Sequence, residues 1–174
     1  MAKIKLLYLL PPAIFLGLAT MMFVGLQREN PNELPSQMIG RNAPKLTITQ
    51  LADLPMLTAA DFTTDGIKIV NFWASWCAPC RVEHPNILQL AELGIPVHGV
   101  NYKDKTSQAL QFLKSLKNPY TKIGADAGRT GLDWGLYGVP ETFVIDGNGK
   151  VLLRHAGPVT QKVMANDILP LLSQ

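Results

Sequence analysis

Cysteine is almost missing from this chain: 174 residues contain two. That scarcity excludes a multi-disulfide framework and a four-cysteine zinc site. An excess of one charge is also missing. Lys and Arg total 16 against 13 Asp and Glu, and two of the basic residues, Lys3 and Lys5, precede a long uncharged segment. The remainder carries 14 basic and 13 acidic residues, a balance that gives nucleic acid no basic face to bind. Internal repeats and low-complexity tracts are absent, as is a Thr-x-x-Cys pattern of the peroxidatic kind. Met21, Met22 and Met38 form no metal-like cluster.

The two cysteines stand together in Trp76-Cys77-Ala78-Pro79-Cys80, directly after the apolar run Ile69-Val70-Asn71-Phe72-Trp73. That run reads as a buried strand entering a turn. Exchange of disulfides needs one thiolate to attack and a second thiol to resolve the mixed disulfide, and two intervening residues let both sulfurs meet within a helical turn. At a helix N-terminus Cys77 would face unsatisfied N–H groups and the positive end of the helix dipole, both favouring thiolate. Cys80, further in, would be the more buried and would resolve. Pro79 suits a first helical turn, and Trp76 would shield the disulfide and offer a partner an apolar contact. Three other readings stand beside this one. A purely structural disulfide would close too small a loop to constrain the unfolded chain much. Half a zinc site would need His84, His98 or His155, none in a paired spacing. Two inert core thiols would leave the flanking tryptophans and proline without a reason.

Residues 6–26 carry no charge, and as a helix they would extend ~30 Å, enough to span a bilayer. Pro11-Pro12 would kink that helix near its start. The flanking lysines place its N-terminus in the cytoplasm and the rest outside. A cleaved signal peptide, with a weak site at Gly17-Leu18-Ala19, is the alternative; the length of the apolar run favours an uncleaved anchor. Both put the cysteines where disulfides persist. The expected layout is residues 1–27 as anchor with a cytoplasmic tail, 28–43 as a polar, proline-interrupted tether, and 44–174 as one domain.

Within that domain, strands are expected at residues 46–48, 67–73 and 96–101, with a short extended stretch at 120–126. Residues 58–62 suit a short helix or turn. Helices are expected at 81–93, with Val82, Ile87, Leu88, Leu90 and Leu93 inward, a kink at Pro85 and a stop at Gly94, and at 107–116, with Leu110, Phe112, Leu113 and Leu116 inward. Asp146-Gly147-Asn148-Gly149 is a hairpin turn between strands 140–146 and 150–155. A helix over 161–172 closes the chain. The order gives an α/β domain, a mixed sheet flanked by helices.

The stretch Trp73-Ala74-Ser75-Trp76-Cys77-Ala78-Pro79-Cys80, followed by Gly138-Val139-Pro140, resembles the thioredoxin fold. More narrowly, residues 71–85 and 135–158, with the anchor, resemble the CcmG/DsbE family of membrane-anchored thiol:disulfide oxidoreductases of cytochrome c maturation. The resemblance implies a cis Val139–Pro140 bond opposite the cysteines. There a proline without an N–H leaves the preceding backbone open to a substrate strand, so Trp76, Val139 and Pro140 are the expected substrate contacts. It also implies acidic residues near the thiols, at Glu83, three residues beyond Cys80, and at Glu141. A carboxylate there would raise the thiol pKa and relay a proton from Cys80; two solvated surface glutamates are the bland alternative. His84 reads as a surface histidine, Asn71 and Thr142 as structural, and Trp134 and Tyr137 as core or groove.

The resulting expectation is a reductase using Cys77, Cys80, Glu83 and Glu141. It would open the Cys-x-x-Cys-His disulfide of apocytochrome c before haem attachment. A membrane thiol-reducing donor of DsbD or CcdA type would supply electrons, with the haem-ligation machinery as a further partner. The cysteines would carry the electrons, so no bound cofactor or metal is expected. The predicted location is the bacterial inner membrane, single-pass, with the domain in the periplasm. A general extracytoplasmic thiol reductase and a metal-binding chaperone module are the alternatives.

Overall fold

In the computed structural model, residues 10–26 and 38–173 are described. The chain divides into two units, Met1–Pro35 and Ser36–Gln174. In the first, helix α1 (Leu10–Leu26) runs for 17 residues, polar only at Thr20, whose hydroxyl donates to the Leu16 carbonyl. At 1.5 Å per residue that is about 25 Å. Among the described residues, no helix is long and apolar enough to cross a membrane. Residues 6–9 of the expected span lie outside them.

The second unit is built on a five-stranded mixed sheet: β1 (Lys68–Trp73), β2 (Val97–Tyr102), β3 (Lys122–Asp126), β4 (Glu141–Ile145) and β5 (Val151–Ala156), in the order β3-β2-β1-β4-β5. β1 is central, parallel to β2 and antiparallel to β4. It is buried along its whole length, which is why its sequence is almost continuously apolar. Alternation along β1 divides the core. Ile69 and Trp73 point into a cluster with Cys77, Cys80, Ile87, Phe112 and Ile168. Val70 and Phe72 point into another with Phe62, Trp134, Phe143 and Val151. The first cluster is covered by α2 (Ala78–Glu92), α3 (Thr106–Leu116) and the terminal helical segment. The second is closed by a 3₁₀ turn (Ala59–Thr63) and the short helix α4 (Arg129–Asp133). Lys68 is fully buried, and its ammonium donates to the carbonyls of Phe62, Thr64 and Asp146, tying that turn to the β4–β5 hairpin.

Several expectations change. Residues 46–48 form no strand; Thr47 instead donates its N–H to the Thr130 hydroxyl, and β3 receives isolated bridges from Thr49, at Ala125, and from Met56, at Ile123. Helix α2 begins at Ala78 with Cys77 as its cap, and Val82 and Leu93 are exposed. Its inward side is Cys80, Glu83, His84, Ile87 and Leu90. On α3 the buried residues are Ala109, Phe112 and Leu113, while Leu110 and Leu116 are half-buried. The terminal segment is not one regular helix. A turn at Gln161–Val163 widens into π geometry over Met164–Ile168 and tightens to 3₁₀ over Leu169–Ser173, where Pro170 has no N–H to continue an α ladder.

Candidate active site

The turn after β1 delivers Cys77 as the N-cap of α2. It is fixed by Asp104, whose carboxylate accepts from the Ser75 N–H (2.6 Å), the Ser75 hydroxyl (2.7 Å) and Asn101 Nδ2 (3.0 Å). Pro79 occupies the first turn, and Cys77 Sγ accepts from the Cys80 N–H at 3.1 Å. The capping sulfur thus stands at the positive end of the helix, the arrangement that favours thiolate. Cys77 and Cys80 are joined as a disulfide. They are 3% and 2% exposed, so Cys77 is as recessed as its partner rather than the open member of the pair. Trp76 is the exposed neighbour, its indole N–H held by the Lys103 carbonyl at 3.1 Å.

Across from the sulfurs runs the loop into β4. Its Val139–Pro140 bond is cis, and the Val139 carbonyl oxygen lies 3.5 Å from Cys77 Sγ. Pro79, Tyr137, Val139, Pro140, Ala156 and Pro158 line an open groove of about 320 Å³ beside the disulfide. Tyr137 is exposed in this groove, whereas Trp134 is fully buried in the core, which separates two residues the sequence leaves together.

Both glutamates are buried, 1% exposed each, and neither is a surface residue. Glu83 follows Cys80 by one turn on the inward side of α2. Its Oε1 accepts from Asn71 Nδ2 at 2.9 Å and its Oε2 from the Val159 N–H at 2.8 Å. Burial pushes its carboxyl up to about 7, against the smaller opposing pull of these two donors. Tyr120 donates to Asn71 Oδ1 at 2.7 Å, which turns the amide so that Nδ2 reaches Glu83 and Thr142 Oγ1 (3.1 Å). Burial, with the nearby Glu83 charge, lifts the Tyr120 phenol well above its ordinary value, keeping it a donor. His84 is also buried, and burial holds its imidazole below the usual range. Its Nε2 meets the Lys117 carbonyl at 2.9 Å, and its ring meets Phe112 edge-on, so it belongs to the α2–α3 packing.

Glu141 has different company. Its Oε1 accepts from the Tyr137 N–H at 2.6 Å and more weakly from the Gly138 N–H at 3.4 Å. Its Oε2 receives both Nε and Nη2 of Arg154 at 3.0 Å. Asn71, read as structural from the sequence, belongs to the site through Glu83, and Tyr120 and Arg154 are the site residues to which the sequence assigned no role. Asn71 interrupts an apolar strand and Arg154 sits in the stretch that carries the resemblance, so both leave a trace in the sequence; Tyr120 leaves none.

A disulfide capping a helix beside a cis-proline groove is equipped for thiol–disulfide exchange, and the comparisons with known proteins agree. The Redoxin family matches residues 38–169. Thiol:disulfide interchange protein HelX of Rhodobacter capsulatus is 47% identical over 170 residues, covering 97% of each chain. This chain belongs to the Redoxin family, among the DsbE/HelX thiol:disulfide interchange proteins. DsbE of Escherichia coli is 42% identical over 94% of this chain and 91% of its own. The crystal structure of a Chlorobium tepidum protein assigned as DsbE superposes with a TM-score of 0.67 at 32% identity, covering 79% of this chain and 99% of that one. The fold is thioredoxin-like, and the activity is that of a disulfide oxidoreductase acting through the Cys77–Cys80 pair.

Proposed function

We propose that this DsbE-type protein works as a reductant and opens the Cys-x-x-Cys-His disulfide of apocytochrome c before haem attachment. Reduced Cys77, as thiolate, attacks one substrate sulfur. A Cys77–substrate disulfide forms and the other substrate sulfur leaves as thiolate. Cys80 then attacks Cys77 Sγ, closes the Cys77–Cys80 disulfide and releases the second substrate sulfur. Two electrons pass to the substrate, and a donor of DsbD or CcdA type restores the dithiol. Glu83 accepts the Cys80 proton in this scheme, and Trp76, Val139 and Pro140 contact the substrate strand.

The observation that carries the direction is Glu83, a buried carboxyl one turn behind Cys80 with only neutral donors around it. Its negative charge opposes a thiolate, and disfavouring the reduced pair favours giving electrons away. The exchange chemistry stands on the family and the site; the substrate stands on the family resemblance. The uncharged segment at residues 6–26 and the lysines before it support a single-pass anchor in the inner membrane. The layout is then 1–27 anchor, 28–43 tether and 44–174 periplasmic domain, beside the haem-ligation machinery.

The test is Cys80→Ala in membranes, with identification of whatever becomes disulfide-linked to Cys77. Recovery of apocytochrome c or a haem-ligation component supports the proposal. Capture of unrelated secreted proteins replaces it with general thiol reduction. An empty trap with Cys77 accessible favours a metal-binding module.

A further inference from the structure

The loop that presents Val139 to the sulfurs is held by one side chain outside the groove. Arg154, on β5, reaches back across β4 with its guanidinium 4.4 Å over the Tyr137 ring. Nε and Nη2 both bind Glu141 Oε2, and Nη2 also donates to the Gly135 carbonyl. The other oxygen of Glu141 takes the Tyr137 and Gly138 N–H groups. Gly135 adopts a positive φ of 64°, which favours glycine, and its carbonyl accepts from the guanidinium. Three of the four residues before Val139 are therefore fixed through backbone groups or ring to a single Arg154–Glu141 pair, whose side chains are 7% and 1% exposed. Breaking such a pair in part leaves a buried charge exposed to nothing, so the pair is effectively rigid. Both carboxylate oxygens of Glu141 are occupied by these donors, which suits it to holding the loop rather than to moving a proton.

We propose that Arg154 is a positioning residue for substrate capture. Acting through Glu141, it holds residues 135–138 so that the Val139 backbone and the Tyr137 ring form one wall of the groove against which an extended, disulfide-bearing peptide lies as Cys77 attacks. A small disulfide that makes no use of the groove gains nothing from this wall. The inference rests on the exchange chemistry and not on which protein is the natural substrate.

The test is single-turnover oxidation of the pre-reduced full chain by two probes. One is a synthetic peptide with an internal Cys-x-x-Cys disulfide; the other is hydroxyethyl disulfide. In each reaction the protein dithiol loses two electrons and the probe gains them. For Arg154→Lys, which keeps the charge but loses the fork, the ratio of peptide rate to hydroxyethyl disulfide rate falls roughly tenfold, the scale of a modest misplacement near a reacting centre. Arg154→Gln and Glu141→Gln lower it in the same direction, and the double variant falls less than the product of the singles. An unchanged ratio in Arg154→Lys overturns the inference, as does an equal fall on both probes, the mark of a merely structural role. Inability of the unaltered protein to reduce either probe overturns the exchange reading itself, which keeps the two failures distinct.

Discussion

Two glutamates, equally buried, one on α2 and one at the start of β4, have been given opposite electrostatic settings. Glu141 meets a guanidinium and two backbone N–H groups. Glu83 meets an amide and a backbone N–H and, among the described residues, forms no ion pair. A carboxylate paired to Arg is a fixed element, because removing either partner strands the other in low dielectric. One held by neutral donors is free to take up and give back a proton, and burial has moved Glu83 to about 7, where this happens near neutrality. Burial alone does not make a carboxyl a proton carrier. The sign of its nearest neighbour decides.

Breaking the fixed side has the largest expected effect. Arg154→Met leaves Glu141 buried without its cation, and the oxidised protein loses about 3–5 kcal/mol of stability in urea titration. A loss below 1 kcal/mol would put the two glutamates on the same footing and end the contrast.

Glu83→Gln probes the other side. The folded carboxyl is raised from 4.5 to about 7, so the native state holds the proton more tightly than the unfolded chain does. Stability from this group is fully present below pH 4.5 and is lost as pH rises to about 7. Glutamine, an uncharged stand-in, removes that slope: the variant matches the parent in acid and exceeds it above neutrality by about 3 kcal/mol at most. With the nearby charge gone, the Cys77–Cys80 couple also becomes more oxidising in equilibrium with glutathione at pH 8. A pH–stability curve that keeps its slope in the variant would assign the titration to another group.

The smallest effect is Tyr120→Phe. It leaves Asn71 Oδ1 without its donor and frees the amide that faces Glu83, lowering stability by about 1–2 kcal/mol. The informative reading is the Glu83 titration followed by carboxyl infrared absorption. If its midpoint does not move, Tyr120 contributes packing alone.

Much of this molecule is legible in its sequence wherever a local pattern coincides with a global one. β1 is a continuous apolar run because both its faces are covered, and the turn at residues 146–149 announces the β4–β5 hairpin. The cysteine spacing gives the reacting pair. The misses have physical reasons. Helix α4 is five residues long and includes a glycine, too short for any periodicity to show. On α2 the inward side holds Glu83 and His84 while Val82 and Leu93 face outward. A hydrophobic-pattern argument therefore finds Ile87 and Leu90 but misplaces Val82 and Leu93, because the site needs polar groups inside. The partners of Glu83 come from residues 12 and 76 positions away, and no local rule connects them.

The depth of the sulfurs has a further consequence. With Cys77 and Cys80 almost fully buried and the Val139 carbonyl against Cys77 Sγ, two copies of this chain meeting by chance do not readily bring sulfur to sulfur. The pair behaves as an insulated contact. It conducts when a partner brings a disulfide or a dithiol on a segment that fits the groove, so burial slows the loss of its electrons to proteins met by chance.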